Sequence, residues 1–531
     1  MKELKLVDCS VRDGGYVNDW DFGFGSIKSI FSRLDSAGVD IIEVGFIDER
    51  RAYDENRSIY PNVKAISPLF AHLRKPQAMV VAMIDYGTCS IDRICPQSES
   101  SLDGIRVIFK KKDQDKAVHY ISEVMGKGYK VFANPVSITS YNDDELEVLI
   151  DKINSLRPFA VTVVDTYGLM HSDELFHYFD LYDENLSPDI MLAYHGHNNF
   201  QMAYANSIAL INHQINRPLI IDGTLFGMGK SAGNACLELL AMYMNEKKGR
   251  NFDICQIQEA IDSDIEREYA KHPWGYNIEY YIAALNDCHP TYVQFLRKKG
   301  SLSIKSVNEI LRQIPRENKL SFDEKLIENL YCEYQTNTIN DSLDRAQLRG
   351  ILDSKKILLL GPGTSISEYE ARVDRFIVQE EPIVISINFL HQHFPIDYVF
   401  MSNSKRYSQF FDKIYGETSG AKIICTSNIT KAGNKVDYTI NYSSLLAEEK
   451  CIRDNPLILF LHLLDQLDIH EVYLAGFDGY VEGTVKNYYS AYVPYLYCQE
   501  DVLLRNDAIK KELISLKRNM SIQFITPTRY I

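Results

Sequence analysis

Two segments of this chain hold the residue types best suited to chemistry. Tyr194-His195-Gly196-His197-Asn198-Asn199 sets two imidazoles one residue apart, and Val11-Arg12-Asp13-Gly14-Gly15 sets an arginine beside a carboxylate. Side chains alternate along a strand, so a strand ending in His-x-His sends both rings to one side. Arg12 and Asp13 follow the apolar run Leu4–Cys9 and are also predicted at or just past a strand end. Two imidazoles and a carboxylate, with positions left open for water or substrate, suit a catalytic divalent cation such as Mn2+ or Mg2+. A cation there would chelate and polarise a 2-oxo acid, and Arg12 beside it would stabilise an enolate oxygen. The chemistry predicted is the making or breaking of a carbon–carbon bond next to a carbonyl.

Those residues need a scaffold that brings positions 12–13 and 195–197 together. Leu4–Cys9, Ile41–Gly45, Met79–Met83, Gly104–Phe109, Lys130–Ala133, Ala160–Val164, Met191–Tyr194 and Leu219–Asp222 read as strands. Ser26–Ala37, Lys116–Lys127, Asp143–Leu156 and Gln201–Asn212 read as helices between them. Eight strands, each followed by a crossover, predict an α/β fold, a (β/α)8 TIM barrel over residues 1–250. A doubly wound sheet is the competing solution. The barrel is preferred because polar residues recur at the C-terminal strand ends, where barrel enzymes build their sites: Arg12, Asp13, Glu43, Asp85, Asn134, Asp165, His195, His197 and Asp222. Over residues 251–350 the alternation gives way to helical patterns, expected as a helical annex and linker that cover the barrel and contribute a homodimer interface. From residue 351 to 531 the rhythm returns, predicting a second, Rossmann-like α/β domain.

Composition narrows the classes. The chain has 531 residues, 45% of them hydrophobic, and a net charge of −15. That is room for two or three domains and argues against a nucleic-acid binder, which needs a basic stripe along the phosphates. Lys110-Lys111-Lys112 is short, is followed by Asp113, and reads as solvated surface. No run is long and apolar enough for a membrane span. Met1-Lys2-Glu3-Leu4 lacks a signal-peptide pattern, and the ten cysteines show no Cys-x-x-Cys, so a cytoplasmic, reduced protein is expected.

Five motifs in order carry a family resemblance: Asp8-Cys9-Ser10-Val11-Arg12-Asp13-Gly14, Glu43-Val44-Gly45, Asp165-Thr166-Tyr167-Gly168, His195-Gly196-His197-Asn198 and Gly227-Met228-Gly229-Lys230-Ser231-Ala232-Gly233-Asn234. Over roughly residues 1–290 the chain resembles the HMG-CoA lyase-like family, the DRE-TIM metallolyases, which includes 4-hydroxy-2-oxovalerate aldolase, isopropylmalate synthase and HMG-CoA lyase. The resemblance implies that Asp13, His195 and His197 are metal ligands and that Asn234 is a further ligand or near neighbour. It implies that Arg12 stabilises the enolate, while Glu43 orients Arg12 or the ligands; a structural ion pair is the plainer alternative for Glu43. Asn198 and Asn199 are expected to support the ligands rather than touch the metal. Three departures narrow the chemistry. Tyr16 stands where the aldolases resembling this chain carry a histidine. Gly15-Tyr16 replaces the Glu-Gln of acyl-CoA condensing enzymes, and Gly227–Gly233 lacks the cysteine of HMG-CoA lyase. Aldol chemistry survives best, with Tyr16 as acid/base, as a group orienting water, or as an aromatic lining residue. Lys230 is either a phosphate or carboxylate anchor or simply exposed. His272-Pro273-Trp274-Gly275-Tyr276 and His289-Pro290 resemble a segment of aldolase-like proteins from bacterial surface-polysaccharide clusters.

In the second domain Leu358-Leu359-Leu360-Gly361-Pro362-Gly363-Thr364-Ser365 places a glycine turn between strand and helix, where backbone amides can cradle a phosphate. The third glycine of a dinucleotide fingerprint is missing, so NAD is not indicated. With Ser386-Ile387-Asn388-Phe389, Phe400-Met401-Ser402-Asn403 and Leu474-Ala475-Gly476-Phe477-Asp478-Gly479, the segment is faintly similar to the Rossmann-like domain of sialyltransferases that use CMP-sugars and of the pterin pyrophosphokinase-like family. That similarity implies a nucleotide pocket lined by Gly361, Gly363, Ser365, Asn388 and Asn403; a degenerate domain kept for assembly is the alternative. The resulting expectation is a metal-dependent, class II-type aldolase joining a pyruvate-type enolate to an aldehyde, or cleaving a 4-hydroxy-2-oxo acid, in surface-polysaccharide sugar synthesis. The alternative is a Claisen-type acyltransferase using acetyl-CoA.

Overall fold

The computed structural model describes residues 3–71, 76–299, 302–319, 321–336, 338–353, 355–391, 393–415, 420–429, 436–481 and 499–531. Two compact units divide the chain, Met1–Pro290 and Thr291–Ile531. The helical stretch after residue 250 is shared between them. Cys498 lies outside the described residues.

Runs of Val, Ile and Leu with few breaks make the strands of the first unit, as expected where a parallel sheet is buried on both faces. They are β1 (Leu4–Asp8), β2 (Ile41–Ile47), β3 (Met79–Asp85), β4 (Gly104–Phe109), β5 (Lys130–Pro135), β6 (Ala160–Asp165), β7 (Met191–Gly196) and β8 (Leu219–Gly223). Neighbours pair in parallel, and β1 pairs with both β2 and β8, which closes an eight-stranded barrel. The barrel predicted from the sequence is therefore the fold. Its interior follows the two-residue strand period. Val7, Ile41, Val81, Phe132, Ala193 and Ile220 form one apolar layer. Two residues further along their strands stand Cys9, Glu43, Asn134, His195 and Asp222, all buried and polar or ionisable. Apolar packing thus fills the barrel and the chemistry is carried at its C-terminal mouth.

Helices close the outside. The helix Asp143–Leu156 begins with a capping box between Asn142 and Glu145 and buries Leu146, Leu149, Ile150 and Ile153 against the barrel. Each such side chain contributes about 1.5–3 kcal/mol, so the apolar face rather than helix propensity holds the element in place.

The second unit is built on a seven-stranded parallel sheet: β9 (Ile357–Leu360), β10 (Ile383–Ile387), β11 (Tyr398–Met401), β12 (Lys422–Thr426), β13 (Tyr438–Ile440), β14 (Glu471–Ala475) and β15 (Ser521–Phe524). The order is β13-β12-β11-β10-β9-β14-β15, so the strand order reverses between β9 and β14. Apolar clusters cover both faces, Ile357 and Leu359 facing one and Leu358 and Leu360 the other. One stretch read as linker is structured. The helix Ser342–Leu352 buries Leu348 and Leu352, while Asp344 and Asp341 accept from the Thr439 and Asn441 amides. Its apolar stripe is so narrow that the polar residues around it mask the helix in sequence.

Candidate metal centre

The chain leaves β1 at Cys9 and turns at once into a helical turn, Ser10–Asp13, that carries Arg12 and Asp13 back over the barrel mouth. Ser10 pins the turn: its hydroxyl donates to Asp8 and accepts from the Leu225 amide at 2.7 Å, tying the end of β1 to the loop after β8. That loop returns Asn234 to pair with His197 through an antiparallel bridge. Gly229 makes the approach possible, since a Cβ there would stand 2.1 Å from Asn234 Nδ2 and 2.8 Å from Asp13 Oδ1. Gly168, at φ +60°, lies equally close to the His197 carbonyl, at 2.4 Å from a built Cβ.

Asp13, His195 and His197 are buried, and one ligand atom from each falls within 4.8 Å of the others. Asp13 Oδ1 accepts from Asn234 Nδ2 at 3.0 Å and from the Lys230 amide at 3.1 Å, while Oδ2 meets Arg12 Nη1 and lies 3.5 Å from His195 Nε2. His195 Nδ1 pairs with Asp222 Oδ2 at 2.9 Å, which turns Nε2 toward Asp13 and fixes the tautomer a metal ligand needs. His197 Nδ1 and Asn234 Oδ1 are buried with no protein hydrogen-bond partner. A divalent cation fits this donor set. It would satisfy orphaned acceptors, and it would balance Asp13, Glu43 and Asp222, three buried carboxylates facing only two guanidiniums, Arg12 and Arg106.

Electrostatics set the charge state of these candidate ligands. Burial alone would push the Asp13 carboxyl up, but Arg12 and the two histidines outweigh it and hold the group well below the usual carboxylate range. Burial pushes His197 down to about 4, leaving a neutral imidazole. Burial opposes Asp222 ionisation too, yet Arg106 and His195 bring it to about 2.

Arg12 is buried, with Nε donating to Glu43 Oε2 at 2.6 Å, so Glu43 holds the guanidinium in place. The Tyr16 ring packs edge-on to Trp20 at 4.8 Å, and the Lys230 ammonium lies 5.4 Å from its centroid. Enclosure in the barrel mouth, then the Asp13 charge, push the Tyr16 hydroxyl up to about 12, although 43% of the residue is exposed. Asn198 Oδ1 accepts from the Ala203 amide and Asn199 Oδ1 from the Ala232 amide, so both hold loops. Arg106, which no sequence motif singled out, is entirely buried between Glu43 and Asp222. Its one signal was a charge on the inward register of an otherwise apolar strand.

A family model described as HMGL-like matches residues 3–264. Residues 3–264 are an HMGL-like domain. The HMGL-like domain thus contains each residue of the centre described above. Among curated proteins the chain is 24% identical to the oxaloacetate decarboxylase of Mycobacterium tuberculosis, over 59% of this chain and 91% of that protein. It is 26% identical to the 4-hydroxy-2-oxovalerate aldolase of Pseudoalteromonas translucida, over 49% of this chain and 75% of that protein. A solved HMG-CoA lyase from Bacillus subtilis aligns at 14% identity and a TM-score of 0.41, covering 50% of this chain and 93% of that one.

In the second unit Gly361, Gly363 and Ser365 stand where the strand order reverses, the place where open α/β sheets bind ligands. A carboxylate of the chain already holds that turn: Asp478 accepts from the Ser365 amide at 2.8 Å and from the Ser365 hydroxyl. Asn388, at φ 55°, exchanges hydrogen bonds with Ser402, and Asn403 Oδ1 accepts from the Arg406 amide at the head of the next helix.

Proposed function

We propose that the first unit is a divalent-metal-dependent aldolase acting on a 2-oxo acid and an aldehyde through a pyruvate-type enolate. The convergence of Asp13, His195 and His197 beside the anchored Arg12 carries this reading. A cation held by those three residues, Mn2+ or Mg2+, would act as Lewis acid on the 2-oxo acid. Arg12 brings a fixed fork of N–H donors to the oxygen that becomes negative as the enolate forms, and Glu43 keeps it there. Tyr16 retains its proton at neutral pH and serves as an acid rather than a resting base. Asn198 shapes the loop beneath His197, and Lys230 supplies positive charge at the mouth for a substrate anion.

The named relatives support the enolate. Loss of carbon dioxide from oxaloacetate and aldol cleavage of 4-hydroxy-2-oxovalerate both leave pyruvate enolate. Read as a nucleotide-binding-like domain, the second α/β unit favours a sugar-derived aldehyde, with surface-polysaccharide synthesis the proposed setting and a homodimer the proposed assembly. The test is to supply Mn2+, pyruvate and a panel of sugar-derived aldehydes and to search by mass spectrometry for a new 4-hydroxy-2-oxo acid. Its formation supports the reading. Free CoA released from acetyl-CoA and a 2-oxo acid, with no aldol product, would replace it by a Claisen-type reaction.

A further inference from the structure

Arg106 lies in the middle of β4 and is fully buried in the barrel. One arm of its fork, Nη2, donates to Asp222 Oδ2 at 2.5 Å. The other, Nη1, donates to Glu43 Oε2 at 3.4 Å and to Cys9 Sγ at 3.3 Å, and the guanidinium carbon lies 5.7 Å from the centre of the Phe132 ring. Each carboxylate it holds is committed elsewhere. Asp222 takes His195 Nδ1 at 2.9 Å, and Glu43 takes Arg12 Nε at 2.6 Å. The contacts run unbroken from His195 through Asp222, Arg106 and Glu43 to Arg12, and both ends lie in the candidate metal centre.

We propose that Arg106 is a positioning residue that couples the orientation of the ligand His195 to that of Arg12. The proposal rests on the reading of Asp13, His195 and His197 as metal ligands. Arginine suits the task because one planar, permanently charged group reaches two carboxylates at once, whereas a lysine ammonium is a single point charge. The register explains why this strand supplies it: Arg106 is two residues past Gly104 on the inward face, at the level of Glu43, His195 and Asp222. Without the fork, two buried carboxylates lose their shared counter-charge, and each is free to rotate away from the group it aims.

The test reads Mn2+ affinity by calorimetry on the full chain, with folding checked by circular dichroism. Arg106→Lys is expected to bind Mn2+ about 10-fold more weakly, as is Asp222→Asn. The double variant should be no weaker than the worse single one, because both changes act through the same His195 contact. With Mn2+ saturating, Arg106→Lys should still exchange pyruvate methyl protons about 10-fold more slowly than the parent, since Arg12 has lost its anchor through Glu43. Unchanged affinity in folded Arg106→Lys, losses that multiply in the double variant, or an exchange rate fully restored by excess Mn2+ would overturn the coupling. If Arg106→Lys does not fold, Arg106→Gln combined with Glu43→Gln removes one charge of each sign and carries the same affinity test. A parent protein that binds no Mn2+ would overturn the metal reading and the coupling together. Failure in the variants alone leaves the metal reading standing.

Discussion

Asp13 spends both carboxylate oxygens on neighbours: Asn234 and the Lys230 amide from the far loop on one side, the adjacent Arg12 and the distant His195 on the other. The protein alone therefore fixes this candidate ligand in position. Asp13→Ala or His197→Ala should abolish metal retention and turnover while leaving the circular dichroism spectrum unchanged; metal analysis after dialysis checks this. Arg12→Lys should keep the metal yet lose about 10²–10³ in rate, since a donor to the developing oxyanion is misplaced. A normal rate there would contradict the enolate role. Asp8 gives a separate pH signal. Burial foremost, against the hydrogen bonds from Ser10, pushes its carboxyl from 3.8 to about 7. Between about pH 4 and pH 7 the folded chain keeps a proton that the unfolded chain has released, so stability falls as pH rises through that window and then levels, by about 4 kcal/mol at most. Asp8→Asn should flatten this part of the slope in urea unfolding at pH 5 and pH 8, and an unchanged slope would show an ordinary carboxyl.

At the scale of elements, the loop after β8 determines how well the centre is assembled. Gly229→Ala would drive a methyl into Asn234 Nδ2 and Asp13 Oδ1, so metal affinity should drop at least about 10-fold with little change in melting temperature. Equal affinity would mean that the loop relaxes without consequence. The strands themselves were legible, because Val-, Ile- and Leu-rich runs such as Gly104–Phe109 and Ile357–Leu360 admit few alternatives. Their ends were less so. Met191–Tyr194 extends to Gly196 because His195 still pairs in the ladder with Val164, although its side chain belongs to the centre. Arg12 and Asp13 sit on a helical turn rather than in extended chain, since Ser10 captures Asp8 and the Leu225 amide. Residue types and spacing singled out Asp13, His195 and His197, which the fold brings together. The contacts that aim them, Asp222 and Arg106 above all, come from strands far apart in sequence, and no spacing rule reveals such pairings.

At the scale of the whole molecule, two units of distinct architecture share one chain. The first has a mouth lined with ionised groups. The second has a glycine turn at the reversal of its strand order, with Asp478 already seated on it. Removing that carboxylate should open the turn to a phosphate: Asp478→Asn is expected to bind CMP at least about 10-fold more tightly than the parent in calorimetry. A nucleotide that ignores this change would favour a degenerate domain retained for assembly. Among the described residues no helix is long and apolar enough to cross a membrane. For the first unit we propose a cation gripped by Asp13, His195 and His197 that stabilises the enolate of a 2-oxo acid. Proton NMR of pyruvate in deuterated water with the Mn2+-loaded protein measures this most directly, after the metal is removed for recording. Methyl-proton exchange should need the metal and vanish in His197→Ala. Bound metal with no exchange, across pyruvate and other 2-oxo acids, would contradict it.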